Sequence, residues 1–378
     1  QPDPTGSGAA RSISAALSGN ENQIPDVMFA HATSTPANDA AEYAGMRMAM
    51  GSRLDDVPVT ALKSRIGHTL GAAGAVETAI AIASLEAEVI PSVANACLDK
   101  EAFPELDLVT EPRAGKRDRA AVVSLGFGGA NAAVLVEKHD AEKPWKPARW
   151  NSRSDELALT GIGVLVPEDL PAGLDEWHLD DGQLAPLEDA RVVRRLSRLA
   201  RLVRAAGILA SRSAGLNEDD LAATSGFAAT RFGAVQYTLG YYEELIRDGL
   251  QAGNPLYFAE SVPNIGSAHL SLGLGLKEMC LSIGGTRICA LEALHVARRH
   301  IASGQSNRAI VVAAEETDLR LHAVLSRLGM LGPDGSRSAI AEGAVALVVE
   351  DPGEAARRGA TVLARVKGTR LEWPAGER

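Results

Sequence analysis

The 378-residue sequence predicts an α/β protein built as layers of helix and mixed sheet. Three observations lead to this class. Continuous small apolar runs, AAVVS at 120–124, AAVLVE at 132–137 and RAIVVAAEE at 308–316, suit strands of sheets covered on both faces. Two segments, AVETAIAIASLEA at 75–87 and ALEALHVARRHIASG at 290–304, repeat their apolar residues at helical spacing. Glycine is abundant, at 37 residues, and much of it falls in turns between these runs.

The opening QPDPTGSGAARS has the Pro, Gly and Ser content of a loop. It leads into a helix that places Ala9, Ile13, Ala16 and Leu17 on one face. DVMFA at 26–30 predicts a short strand ending beside His31, and a strand's carboxyl end is where α/β sheets hold their sites. The Ala-rich stretch 74–87 is a good helix former whose amino end faces back toward His68. HDAEKPWKPARWNSRSD at 139–155, polar with two prolines, reads as a linker. ELALTGIGVLVP at 156–167 predicts a strand. Residues 191–213 predict one helix alternating Arg191, Arg194, Arg195, Arg198, Arg201 and Arg204 with aliphatic residues. That run is either a solvated helix face or a docking strip for an acidic partner. A buried helix is expected over 289–303.

A net charge of −10 argues against general nucleic-acid binding, which requires phosphate neutralisation. Cys97, Cys280 and Cys289 form no CxxC pair, which suits a reducing cytosol. No uncharged apolar run reaches membrane-spanning length, so no transmembrane helix is expected. No histidine has the close Cys, His or Glu partners of a metal site, and no GxGxxG opens a helix, so neither metal nor nicotinamide cofactor is expected.

The chemistry sits in two segments, FAHATSTPAND at 29–39 and KSRIGHTLGAAGA at 63–75. Each sets one histidine among hydroxyls, small residues and glycines. Two neutral imidazoles in one pocket can hydrogen-bond an enolate oxygen or handle a proton near neutral pH. Taken singly, His31 and His68 could equally be unrelated structural histidines.

Together these segments resemble the β-ketoacyl synthases, condensing enzymes of the thiolase superfamily, whose AHGTSTPxND and KSxxGHxxGAAG motifs carry the two active-site histidines and a lysine. The resemblance implies a thiolase-like αβαβα fold with mixed five-stranded sheets, and makes His31, His68 and Lys63 the catalytic residues, with Lys63 orienting the His68 site. SLGFGGANAAVLVE at 124–137 is similar to the family's GFGGxN loop and following strand. Phe127 would then be the gating residue and its amide an oxyanion donor, with Asn131 structural. Ala32 departs from the family's glycine. The motifs also stand in unusual order: residues 1–138 resemble the family's C-terminal half and 156–378 its N-terminal half, within which SRSAIAEGAVALVVED at 336–351 resembles the family's strand pair and ARRGATVLARVKG at 356–368 its closing strand.

The resemblance also locates an absence. The family's nucleophilic cysteine lies at the start of a central helix, where the dipole lowers the thiol pKa. Counting from LGLK at 274–277 and from ALHVARRHIASG at 293–304 puts Arg287 in that position. Arginine stays protonated and cannot attack an acyl group. Cys289 lies two residues on and reads as a buried small hydrophobe, and Cys280 lies in a predicted strand. At a helix start Arg287 is expected to be paired. Chain-length factors, partner subunits in this family, have likewise lost the cysteine. The chain is thus expected to be a component of a β-ketoacyl synthase working with an acyl carrier protein that bears phosphopantetheine-linked acyl and malonyl groups. A complementary synthase segment or subunit would supply the cysteine, in a dimer or pseudo-dimer. The order of halves fits a middle segment of a tandem synthase/chain-length-factor fusion. A circular permutant and a non-catalytic interaction subunit are the alternatives, and a thiolase or chalcone-synthase relative a weaker third.

Overall fold

Each run of small apolar residues becomes a strand, and each amphipathic run a helix laid over it. A computed structural model describes residues 3–17, 24–126, 129–139, 156–167, 179–187, 190–330 and 341–369. The chain divides into two compact units, residues 1–147 and 148–378.

The first unit contains α1 (Ser7–Leu17), β1 (Val27–Phe29), α2 (Pro36–Met50), β2 (Val59–Thr60), α3 (Lys63–Ile66), α4 (Ala73–Ala87), β3 (Val89–Ile90), β4 (Arg113–Ala114), β5 (Arg119–Leu125) and β6 (Asn131–Glu137). Its main sheet runs β2-β1-β5-β6, with the first three strands parallel and β6 antiparallel to β5. Period-two alternation divides the core between the faces. Met28, Ala121 and Val123 pack with Ile13 of α1 and with Met46 and Met50 of α2. Val27, Phe29, Ala120 and Val122 pack on the other face with Ala81 and Leu85 of α4.

The second unit contains β7 (Leu157–Leu165), α5 (Asp181–Leu184), α6 (Ala190–Val193), α7 (Arg198–Ser213), α8 (Glu218–Ala222), β8 (Ser225–Thr230), α9 (Val235–Asp248), α10 (Pro255–Ser261), α11 (Ile265–Leu274), β9 (Cys280–Gly284), α12 (Cys289–Ala302), β10 (Arg308–Glu315), α13 (Leu319–Arg327), β11 (Gly343–Glu350), α14 (Pro352–Arg357) and β12 (Ala364–Val366). The sheet order is β12-β7-β11-β10-β8-β9. Strands β9, β8 and β10 are parallel, whereas β11, β7 and β12 each run antiparallel to the preceding neighbour. Helices α7 and α11 cover one face through Leu202, Ala206, Ala210 and Leu270. The predicted helix α12 covers the other through Ala293, Ala297 and Ile301. Its outer side is open within this unit, with Leu291 59% exposed.

The two units repeat one topology. β2-β1-β5-β6 follows the order and strand senses of β9-β8-β10-β11, and α1 leads into β1 as α7 leads into β8. The sheets are therefore mixed, as expected, but have four and six strands rather than five each. The first sheet ends at β6 among the described residues, while β12 adds a strand beyond β7 in the second.

Other expectations shift locally. The Arg run is not one helix, because Ser197 begins a new one, its hydroxyl accepting from the Ala200 amide at 3.3 Å. Arg198 then turns inward to the buried Glu342, at 2.7 Å, while Arg191, Arg194 and Arg195 are exposed. The closing strand shortens to β12, because Asp351 caps α14 through the amides of Gly353 and Glu354. Of the strand pair at 336–351 only β11 lies in the described residues, and nearly all of the linker lies outside them. The stretch 70–87 does reach the length and hydropathy of a membrane span. Its helix nonetheless carries Glu77 in a buried ion pair and packs Ala81 and Leu85 into the core.

Glycine sets the spacing between β7 and α7. A Cβ on Gly163 would lie 2.3 Å from the Ala206 carbonyl oxygen and 2.6 Å from the Ala210 nitrogen, both backbone atoms of α7. Gly163→Ala is expected to destabilise the second unit by about 1–3 kcal/mol through overpacking, measured as a lowered denaturation midpoint with unchanged slope.

Candidate active site

Strand β1 delivers its carboxyl end to the first motif. The strand ends at Phe29, but burial continues through Ala30 and His31, and the Ala30 amide still donates to the Thr60 carbonyl at 2.8 Å. The chain then turns sharply at His31. Ala32 has φ 36° and Ser34 φ 61°, in the left-handed region that costs an L-residue about 1–2 kcal/mol. What holds this turn is Glu42 of α2, which is 2% exposed. Its Oε1 accepts from the His31 amide at 2.6 Å and its Oε2 from the Ala32 amide at 2.8 Å.

The second motif approaches from β2. Leu62 is buried, and Lys63 opens α3 with its ammonium 2.6 Å from Glu77 Oε1 of α4. Both side chains of this pair are buried, at 7% and 1% exposure. Gly67, at φ 75°, ends α3 and turns the chain to His68. The Leu70 amide donates to His68 Nδ1 at 3.2 Å. In the neutral ring this puts the proton on Nε2, so His68 presents an N–H donor.

The two imidazoles meet edge to face, with ring centroids 5.4 Å apart. Burial, then the charges of Lys63 and His68, push His31 down to about 4. His68 is also lowered, by partial burial first and Lys63 second. Both rings are thus neutral at physiological pH. His31 Nδ1 and Glu77 Oε2 are buried without a hydrogen-bond partner among the described residues. The arrangement offers imidazole N–H donors to a developing oxyanion, backed by a fixed ammonium–carboxylate pair.

The sequence-predicted trio of His31, His68 and Lys63 therefore falls in one place. Lys63 acts on both imidazoles through its charge, and its direct partner is Glu77. Sequence reasoning missed Glu77 and Glu42. Their signal was a carboxylate set among the Ala residues of each helix, as in AVETAIA at 75–81 and DAAEYA at 39–44. Asn131 lies at the start of β6, where Nδ2 donates to the Gly129 carbonyl at 3.1 Å. Phe127 lies outside the described residues.

Arg287 corrects an expectation. It sits in the turn between β9 and α12, two residues before the helix begins at Cys289, and it is exposed. Its guanidinium makes no hydrogen bond or ion pair with the described residues. Exposed and ahead of the helix, it needs no protein partner to offset the positive end of the helix dipole. Cys289 is buried, and burial followed by the Glu315 carboxylate pushes its thiol up. Burial also raises Cys280. Neither thiol is an activated thiolate. No cluster of three or more metal-ligating side chains occurs among the described residues.

Known proteins match in the same inverted order. The β-ketoacyl synthase C-terminal domain matches residues 1–96 and the β-ketoacyl synthase N-terminal domain residues 131–365, so the chain belongs to the β-ketoacyl synthase family. The ketoacyl synthase alpha subunit of the tetracenomycin polyketide synthase from Streptomyces glaucescens is 36% identical over 140 residues, 36% of this chain and 32% of that protein. The 3-oxoacyl-[acyl-carrier-protein] synthase 2 of Mycobacterium tuberculosis is 40% identical over 142 residues, 36% of this chain and 33% of that protein. The chain thus spans about a third of the length of these relatives. A solved PfaC keto synthase-chain length factor shares the fold with TM-score 0.69 and 17% identity, over 96% of this chain and 47% of that one.

Glu42 and His31 give stability opposite pH dependences. Burial raises Glu42 to about 7, so its contribution is complete below about pH 4.5 and is lost as pH rises through about 7. His31 is depressed to about 4, so its contribution is present above about pH 6.5 and is lost as pH falls through about 4. Glu42→Gln places an amide NH2 against one of the two backbone donors. It should cost about 1–3 kcal/mol and unmask the His31 slope, so that stability of the variant climbs from pH 4 to 6.5 more steeply than that of the parent in urea titrations.

Proposed function

We propose that the chain is a component of a β-ketoacyl-(acyl carrier protein) synthase that catalyses decarboxylative Claisen condensation in fatty acid or polyketide synthesis. The observation that carries this reading is the His31–His68 pair at 5.4 Å, both rings neutral. A malonyl thioester on phosphopantetheine would set its carbonyl oxygen against the imidazole N–H donors. Loss of CO₂ leaves the bond's electron pair on the α-carbon, delocalised as an enolate whose oxygen the two donors stabilise. That carbon then attacks an acyl thioester, forming the new C–C bond and releasing the thiolate. Burial first, and then the charge of Lys63, held by Glu77, keep both imidazoles unprotonated. The Phe127 amide would serve the tetrahedral oxyanion.

In this reading residues 1–138 are a C-terminal half, 139–155 a linker and 156–378 an N-terminal half with Arg287 in the nucleophile's position. The chain would be a middle segment of a tandem synthase/chain-length-factor fusion, acting in the cytoplasm as part of a dimer or pseudo-dimer. The acyl-bearing cysteine would come from a complementary segment, and acyl carrier protein would bring the substrates. Incubated with that complement and malonyl-loaded carrier protein, His68→Ala should lower CO₂ release by about 10²–10³-fold. Retention of full activity would reject the role. Since His68 is exposed within its unit, the variant should keep the parent's denaturation midpoint.

The second reading, a non-catalytic subunit shaped like a chain-length factor, is favoured by the exposed Arg287 and the raised thiols of Cys280 and Cys289. Both readings expect no acyl-enzyme on this chain. Intact-mass analysis after treatment with an acyl thioester or with cerulenin should show no adduct on either cysteine, whereas a stoichiometric adduct on Cys289 would mean that this chain carries its own nucleophile.

A further inference from the structure

The carboxyl edge of the second unit's sheet carries positive charge that the fold leaves uncompensated. Strands β8 and β9 run parallel and end in register, Thr230 against Gly284. The two ends are close: a Cβ on Gly284 would lie 3.0 Å from the Thr230 carbonyl oxygen. An arginine follows each strand. Arg231 is the next residue after β8, and Arg287 stands in the turn that joins β9 to α12. In α/β sheets the crevice outside the carboxyl ends of parallel strands is where ligands bind.

Neither guanidinium forms an ion pair among the described residues. Arg287 is exposed. Arg231 is half-buried, and its guanidinium carbon lies 4.6 Å from the centroid of the Phe232 ring, which restrains it without neutralising it. Two carboxylates stand at this edge, and both are engaged elsewhere. Glu315 accepts from the Arg231 and Phe232 amides and from the Thr230 hydroxyl at 3.2 Å. Glu292, in the first turn of α12, accepts from the Thr286 hydroxyl at 2.6 Å. Burial also raises the Glu315 carboxyl, which lessens the negative charge beside Arg231. The 14-residue helix α12 starts here without a side-chain cap, so its positive end adds to the field of the two arginines.

We propose that this edge binds one small oxyanion, a carboxylate or a phosphate group, held by the guanidiniums of Arg231 and Arg287. A guanidinium stays charged at every physiological pH, and its planar fork matches the paired oxygens of either group. Arg287 is then a binding group and not merely the residue left where a nucleophile is absent. The inference uses the second unit alone and does not depend on the catalytic reading.

The test follows the arginine Nε–Hε signals of the full chain by NMR as malonate or inorganic phosphate is added, with chloride holding the ionic strength constant. The Arg231 and Arg287 signals should move together along one saturating curve, while that of Arg195, an exposed arginine of the Arg run, should not saturate. Arg287→Gln should weaken binding by about tenfold or more, read at Arg231. Arg231→Lys keeps the charge but loses the fork, and should weaken binding read at Arg287. Should that variant fail to fold, Arg287→Gln still decides, because the residue it changes is exposed. Tighter binding of malonate identifies a ligand bearing a carboxylate, and tighter binding of phosphate one bearing a phosphate; either supports the site. Separate curves for the two arginines, no more saturation than at Arg195, or undiminished affinity in Arg287→Gln would overturn the proposal.

Discussion

The Glu42 carboxylate is the constraint on which the candidate site depends. The chain leaves β1 into a turn that sets an alanine and a serine in left-handed backbone, and that turn buries two amides with no strand to receive them. An unsatisfied buried donor costs about 1–3 kcal/mol. One carboxylate from α2 satisfies both. Because the turn is fixed, His31 stays buried, and burial is the largest cause of its depressed pKa. The Lys63–Glu77 pair does corresponding work from the other side. A buried ammonium and carboxylate hold one another where either alone would be driven neutral. Two buried carboxylates thus hold the two approaches to the site in place.

The second unit repeats this device with different contents. After β8, the strand equivalent to β1, the Glu315 carboxylate accepts from the consecutive amides of Arg231 and Phe232. The turn is held in the same manner, but it displays Arg and Phe in place of histidine. Glu316, adjacent on the chain, takes amides from the first turns of α7 and α9 at 2.6 Å each. Unit two thus has buried carboxylates that hold its turns and helix starts. The same Glu315 charge helps hold the Cys289 thiol protonated.

Much of this was legible in the sequence, for identifiable reasons. Strands β5 and β10 announce themselves because doubly covered strands need unbroken apolar runs, whereas β6, with a similar run, has no fully buried residue in its unit. His31 and His68 were readable as a pair because their flanking glycines and hydroxyls are demanding local patterns. Ser197 was hidden inside an apparently continuous Arg–Leu periodicity, which helical spacing alone cannot interrupt. The burial of Glu42 and Glu77 depends on partners 11 and 14 residues away in sequence, which are tertiary facts. Arg287 was expected to be paired at a helix start, but the helix begins two residues later, at a thiol.

The Leu70 amide on His68 Nδ1 has a consequence for which donors the pocket can use. That bond occupies the lone pair with which His68 could remove a proton, and an imidazole with pKa near 4 is a feeble base at neutral pH. The pocket can receive a carbanion but is poorly equipped to make one by abstracting hydrogen from an unactivated acetyl group. Extension would therefore be tied to substrates that already carry a carboxylate to discard. In the proposed reaction the loss of CO₂ would set the direction, and the resting protonation of the two rings would set only which substrates can react.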